Sequence, residues 1–250
     1  MTAIVVGPTL AVVCLVMAVA AASIYRVGQL GSGWVVPAAA LRAVAQLAAV
    51  SAVLAVAITR LWSSIAVLTV MFGVATLTAA RRTGAGRSSA WVVLPLAAGL
   101  TAVLPPLLLS GLVPATGVAV VPIVGIVLGG TMTAVAIAAK RTLDTLGHRL
   151  GEVEAALSLG LSERDSRMEV MTRELTDALL PNLDQTRTVG LVTLPGAFVG
   201  VLLSTGSATQ AGAVQVLVLV SLMLSQTCGV AVVGELVARG RIRRNRPTAS

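Results

Sequence analysis

The sequence predicts an all-α integral membrane protein of about seven transmembrane helices, with a helical polar insert between helices 5 and 6. Three observations carry this. Hydrophobic residues make up 56% of the 250 positions and charged ones 11%, against roughly 25% charged in an ordinary soluble domain. Charge-free windows run from Met1 to Tyr25, Leu61 to Ala80, Ser88 to Ala139 and Thr188 to Gly234, and a spanning helix needs about 20 apolar residues. Finally, the single sustained charged stretch, residues 140–187, holds nine of the ten acidic side chains.

The N-terminal window has no basic flank and is long for the apolar core of a signal peptide, so it reads as a retained first span. A second span fits between about Val35 and Thr59, with Arg42 and Gln46 inside it, and Leu61–Ala80 supplies a third. The window 88–139 must hold two spans, with turn chemistry at Pro105-Pro106, Ser110-Gly111 and Pro114. The window 188–234 must hold two more, separated between Ser204 and Gly212. Continuous apolarity favours helices over barrel strands, which alternate over about ten residues. The resulting divisions are helices 1–5 over 1–139, the insert 140–187, helices 6–7 over 188–238 and a basic tail 239–250.

Arginines near span ends favour the cytoplasmic side. An external N-terminus and internal C-terminus place Arg26, Arg81, Arg82, Arg87 and the tail residues Arg239, Arg241, Arg243, Arg244 and Arg246 inside, nine against Arg60 outside. The insert then also faces the cytoplasm of a cell with this chain in its inner or plasma membrane, although its seven basic and nine acidic residues leave it at −2. The net charge of +8 and pI of 11.3 are therefore explained by topology. With two Phe and one Tyr in the chain, nucleic acid is not an expected partner, and anionic lipid headgroups are the expected contact of the tail.

Inside the insert, Leu143, Leu146, Leu150, Val153 and Leu157 recur at three- and four-residue intervals and predict an amphipathic helix over 142–159. Gly160 ends it. Ser162 followed by Asp165 resembles a capping box for a second helix, whose apolar face is Met168, Met171, Leu175 and Leu179, up to Pro181.

Arg42 and Gln46 share a helix face, which suits either a pathway or gating role or simple snorkelling of a shallow arginine. Pro195-Gly196 is expected to break the ladder of the sixth span. Such a break exposes carbonyls suited to a hard cation or makes, with Gly200, a close-packing face. Gln215 suits an interhelical hydrogen bond or a substrate contact. His148 lacks a partner at ligand spacing, and Met17, Met71, Met132 and Met223 suit core filling, so no metal ligand is assigned. Cys14 and Cys228 lie in apolar spans and read as small core hydrophobes. No G-x-x-x-x-G-K-[ST] loop exists and Lys140 is the sole lysine, so ATP hydrolysis by this chain is not expected; H-E-x-x-H and G-x-S-x-G are absent too, and no catalytic residue is assigned.

Two groups of residues carry a resemblance. Glu154-Ala155-Ala156, three residues and then Gly160 resemble the EAA loop of ATP-binding-cassette permeases, although the proline of the usual motif ending falls later, at Leu180-Pro181. Leu180-Pro181, Asp184, Arg187, the run Thr188 to Gly196, Gly200 and Gln215 are similar to the FetB/YbbM family of iron-export permeases, related to plant aluminium-tolerance permeases. Arg42 to Leu47 and Pro122-Ile123 with Gly125, Gly129 and Met132 extend the similarity, and Gly130 departs from it where the family commonly has asparagine. The resemblance implies a non-catalytic permease subunit that exports iron or a related metal, acts as a homodimer and binds a separate cytoplasmic ATPase carrying ATP and magnesium. It implies ATPase coupling through Glu154, Ala155, Ala156, Gly160, Ser162 and Asp165, and a pathway drawn from Arg42, Gln46, Gly129, Met132, Pro195, Gly196 and Gln215. An ATP-independent metal or solute carrier and a scaffold that recruits a cytoplasmic partner are the alternatives.

Overall fold

The structure is a computed structural model that describes residues 7–57 and 61–244. The chain divides into two compact units, residues 1–59 and 60–250. Arg60 and Arg246, both used above to argue orientation, lie outside the described residues.

The first unit is a helical hairpin, α1 (Pro8–Val27) and α2 (Val35–Ala57), packed on one another. Pro8 opens α1 where a missing N–H costs nothing, and Gly31 turns the connecting loop at φ 143°.

The second unit starts with α3 (Leu61–Thr83), a 3-10 turn (Gly86–Val92) and α4 (Val93–Leu109). Pro105 and Pro106 sit inside α4, contrary to their expected place in a turn. The chain reverses after them, at Ser110 and at Gly111 with φ 70°. Next come α5 (Gly117–His148), α6 (Leu150–Ser158), α7 (Glu163–Asp177), α8 (Leu180–Thr188), α9 (Gly196–Thr205) and α10 (Ala208–Ala238). Among the described residues, five helical segments are long and apolar enough to cross a membrane, Pro8–Val27, Trp62–Thr83, Gly86–Leu109, Ala119–His148 and Ala208–Ala238, while Val35–Ser51 and Gly196–Thr205 are shorter apolar helices.

The centre of this unit is where α4, α5 and α10 meet. Thr131 on α5 and Ser225 on α10, both buried, share a hydroxyl–hydroxyl hydrogen bond of 2.7 Å. Thr131 also donates to the Val127 carbonyl at 2.8 Å, so Ser225 donates across the interface. Close approach is possible because Gly99 and Gly229 face the pair. A Cβ on Gly99 would lie 2.6 Å from the Ser225 carbonyl oxygen, and one on Gly229 would lie 2.9 Å from Val135 Cγ2. Such small-residue contacts replace the hydrophobic effect as the cause of helix association in lipid, where a polar bond adds about 1 kcal/mol. The larger apolar core extends from here toward one end of the bundle, through Leu96, Val135, Met171 and Val233.

The segment expected to form the sixth span differs from expectation. Its helix, α9, has ten residues and rises only about 15 Å, half of a hydrocarbon core of about 30 Å. Pro195 is not a kink inside it but its N-cap, with φ −66° and ψ 153°, and Gly196 is its first residue. The break lies upstream, in residues 189–195. There the Thr188 carbonyl accepts from Leu191, Val192 and Thr193, and Gly190 takes φ 81°. The cause is local: proline keeps the preceding residue out of the helical region, and the left-handed Gly190 turns the chain before α8 can continue. The α8–turn–α9 stretch runs antiparallel to α10, with Phe198 opposite Gln215 and Asn182 near Gln226.

These contacts lead to a packing prediction. Gly99→Ala should lower the stability of the purified protein by about 1–3 kcal/mol through overpacking. Gly73→Ala, in α3 with nothing within 4 Å of the added Cβ, should change it by less than about 1 kcal/mol. Equilibrium unfolding in mixed micelles measures both.

Candidate functional site

The polar insert is helical, as expected, but residues 140–187 hold four pieces, the end of α5, then α6, α7 and nearly all of α8. The amphipathic stretch over 142–159 divides at Arg149, whose φ −116° and ψ 35° end α5 and begin α6. Its stripe divides with it. Leu143 and Val153 are buried and Leu146 packs on the core, whereas Leu150 and Leu157 are exposed. The expected face is realised on α7 and just beyond it: Met171 is fully buried, Met168 and Leu175 pack on the same core, and Leu179, the N-cap of α8, joins them after α7 has ended at Asp177. Leu175 lies in the notch left by Gly234, where an added Cβ would meet its Cδ1 at 2.7 Å.

Between α6 and α7 the chain forms a tight, well-bonded corner. Leu161 N–H donates to the Ala156 carbonyl at 3.2 Å and Gly160 N–H to that of Leu157 at 2.9 Å, the bonding of a Schellman cap. Gly160 stands at its left-handed position with φ 92°, where a Cβ would be strained. Two residues on, the Ser162 hydroxyl accepts from Asp165 N–H at 3.1 Å and donates to Asp165 Oδ2 at 2.7 Å. The predicted cap is therefore present. Its reciprocal bond goes to the serine hydroxyl rather than to the backbone because aspartate is one methylene shorter than the usual glutamate.

All six residues expected to couple to a partner, Glu154, Ala155, Ala156, Gly160, Ser162 and Asp165, lie on this corner, and only Ala156 is not fully exposed. Leu157, Leu159 and Leu161 are exposed with them, Leu159 at 82%. Three leucines are thus exposed together outside the apolar helices.

The corner is not loose. Arg164 grips Glu235 near the end of α10 with a two-pronged contact, Nε to Oε1 at 2.9 Å and Nη2 to Oε2 at 2.7 Å. Arg239 holds the same carboxylate at 2.5 Å, and Arg167 donates to the Ala238 carbonyl at 3.0 Å. The Ser162 hydroxyl, then the Arg164 guanidinium, hold the Asp165 carboxyl below its ordinary range, and the Glu235 and Asp165 carboxylates raise the Arg164 pKa. Because α7 packs on α5 and α10, the insert is tied to those two helices. Glu235, the one acidic residue outside the insert, is thus its anchor, a role that spacing alone did not reveal.

The C-terminal segment joins the same end. Arg241 stacks over the Trp91 ring at 5.3 Å, Arg243 exchanges hydrogen bonds with Ser88, and Arg244 pairs with Asp144. Ile242 between them is buried. Residues 239–244 therefore pack on the unit through Ile242 while Arg239, Arg241, Arg243 and Arg244 stay exposed.

Toward the middle of the bundle, α5, α8 and α10 line an open cavity of about 440 Å³. Gly129 and Gly130 form its α5 wall, Asn182 and Gln185 its α8 wall, and Gln226 its α10 wall. Of the expected pathway residues, only Gly129 lines it. Met132 packs on the core. Gln215, buried, accepts a hydrogen bond of 3.2 Å from Phe198 N–H, so it caps the first turn of α9 and its open reading resolves to an interhelical bond. Arg42 and Gln46 lie exposed on α2 in the first unit. The cavity residues Asn182 and Gln226 went unmarked in the sequence. Their signal was faint: an isolated amide beside Leu180-Pro181, and another inside an apolar span.

A family model described as the uncharacterised protein family UPF0014 matches residues 8–241. The chain is 34% identical over 108 residues to "UPF0014 membrane protein STAR2" of Oryza sativa subsp. japonica, covering 43% of this chain and 38% of that one. It is 33% identical over 126 residues to "Protein ALUMINUM SENSITIVE 3" of Arabidopsis thaliana, covering 50% and 46%. It is 31% identical over 118 residues to "Probable iron export permease protein FetB" of Escherichia coli (strain K12), covering 46% and 43%. The matched stretch spans less than half the length of these relatives. No solved structure matches the chain significantly. Apolar helices and family together identify a multi-pass membrane protein.

The Ser162–Asp165 pair carries a pH prediction. Because the folded carboxyl titrates below its unfolded value, the stabilisation it lends α7 is complete above the ordinary carboxylate range and is lost as pH falls through the lowered folded value. Amide exchange in the first turn of α7 should therefore keep constant protection from about pH 8 to about pH 5 and lose it only below about pH 4. Asp165→Asn should remove that acid transition.

Proposed function

Because the chain belongs to the UPF0014 family of membrane proteins, we propose that it is the permease subunit of an ATP-binding-cassette transporter, working as a homodimer with a separate cytoplasmic ATPase. The observation that carries this reading is the exposed corner at Gly160. It combines an EAA-like sequence, three leucines presented to water and a rigid ionic tie to α10. A surface meant only to be solvated has no use for exposed leucines, and a surface meant only to recruit a partner has no use for a stiff connection to a spanning helix. Force applied at the corner moves α5 and α10 together, because α7 packs on both.

In this reading the N-terminus is external, and the 3-10 turn, the insert and the C-terminal arginines share the cytoplasmic face of an inner or plasma membrane. Their mutual contacts, Ser88 with Arg243 and Asp144 with Arg244, agree with that arrangement. Seven crossings follow if α8, the 189–195 turn and α9 together make the sixth. ATP and magnesium reside on the partner. The cargo is iron or a related metal, on the strength of the relative named as an iron export permease; the permease moves it by alternating access and catalyses no reaction.

The broken sixth crossing is also the kind of element that secondary carriers use, so ATP dependence is the deciding measurement. Vesicles holding permease and ATPase should move ferrous iron with ATP and not without it; flux that ignores ATP assigns the chain to the carrier class.

Ala155→Arg tests the surface itself. Ala155 is exposed within α6 and arginine is a good helix former, so insertion and stability should be unchanged, within about 0.5 kcal/mol. Stimulation of the ATPase by the permease should fall at least about tenfold, the effect of losing about 1.4 kcal/mol of contact. Undiminished stimulation in the inserted variant overturns the assignment. Gly160 suits this test less well, since its φ of 92° strains any side chain.

A further inference from the structure

Asp184 and Arg187 belong neither to the coupling corner nor to the open cavity. They pair with one another on α8 at 3.3 Å, and their side chains are 64% and 71% exposed. With Thr188 they make up the face of α8 opposite the buried Asn182.

The neighbouring helices set the depth of this face. α5 and α10 run parallel, since Thr131 meets Ser225 and Val135 meets Gly229. Beyond that contact the first charged residues are Lys140 on α5 and Glu235 on α10, nine and ten residues further on, and they mark one edge of the apolar layer. Asn182 lies near Gln226, and Phe198 is bonded to Gln215. These two levels of α10 are about 13 Å and about 30 Å from Glu235 at 1.5 Å per residue. Asp184 and Arg187 fall between them, roughly 16–20 Å in, near the middle of a hydrocarbon layer about 30 Å thick.

At that depth α10 shows the kind of surface lipid accepts. Val216, Val220 and Leu224, four residues apart, are exposed on one face. The outer face of α8 is of the opposite kind, and charged groups at membrane depth face a bundle interior or water. The pair does not satisfy itself either. One contact uses a single donor of a guanidinium that has five and a single oxygen of the carboxylate. Water meets the remaining groups at once. The non-helical turn that follows α8 is accommodated at this depth by the same wet space.

We propose that the outer face of α8, with Asp184, Arg187 and Thr188, is a wall of a water-filled passage by which a charged cargo crosses the membrane. The proposal rests on the transporter reading, whose second copy supplies the opposite wall, and adds to it the residues that line the path.

The test uses permease alone, with Cys14 and Cys228 replaced by alanine, in lipid discs whose two faces both meet the reagent. Neither ATPase nor cargo is present, so a failure of the transporter's coupling cannot alter the result. Single cysteines are placed by Thr188→Cys on the face, Val220→Cys on the apolar surface of α10 at similar depth, and Ser158→Cys on exposed α6. Each is treated with a small, charged methanethiosulfonate and with a maleimide on a long polyethylene glycol chain. Thr188→Cys should react with the small reagent at least about tenfold faster than Val220→Cys, the change that one pKa unit makes in the thiolate fraction. The polymer should label Ser158→Cys and leave Thr188→Cys unlabelled. Reaction of Thr188→Cys as slow as that of Val220→Cys places the face against lipid or protein, and labelling by the polymer places it outside the membrane; either result overturns the proposal. Arg187→Cys on the same face should behave as Thr188→Cys does, and it decides the matter if Thr188→Cys fails to insert.

Discussion

The apposition of α5 and α10 through Thr131 and Ser225 is the constraint on which the second unit depends. Two hydroxyls 2.7 Å apart bring the backbones close, and Gly99 and Gly229 are what permit it. In lipid there is no hydrophobic force to draw apolar helices together, so fit between small residues and a few polar bonds must do so. Around that contact the molecule separates into two working ends. Toward one end the two helices carry the insert, and one helical turn or less from the pair, Gly130 and Gln226 border the cavity.

This placement gives a physical route between the two. The insert corner is held to α10 by Arg164 and Glu235, and α7 lies along both α5 and α10. Rigid helices have few internal ways to absorb a push at one end. In the proposed transporter a push at the corner is therefore carried by α5 and α10 together toward the cavity walls, the Thr131–Ser225 contact holding the two helices to one another. α8 completes the cavity, and the turn that follows it is the least regular part of the unit. Non-helical backbone at membrane depth is tolerated where it is covered by protein or lines a wet space. Leu191 and Val192 are exposed there at 89% and 80%, which is consistent with a second copy covering them in the proposed homodimer.

The amino-acid sequence by itself determined the class of molecule. Charge-free windows of spanning length allow no soluble fold, and the clustering of nine acids in 140–187 can only be a segment outside the lipid. It also determined the local joints. Gly160, Ser162 with Asp165 and the Met168–Leu175 face all act within one or two turns, where the geometry of a few bonds settles the outcome, and each is found where its chemistry placed it, whereas the second helix ends at Asp177 and Pro181 opens α8 instead.

Tertiary structure alone decided what depends on neighbours distant in sequence. Pro105 and Pro106 continue a helix because the chain finds its reversal four residues later, at Ser110 and Gly111, and the proline at 195 begins a helix because residues 189–195 close a turn before it. Gln215 became a helix cap only when α9 came to lie against it. Glu235 became the anchor of the insert only when Arg164, 71 positions away, reached it. Asn182 and Gln226 look like stray amides until α8 and α10 bring them to one cavity. A periodic pattern reports which face of a helix is apolar. It carries no information about which other helix, or which buried partner, that face will meet.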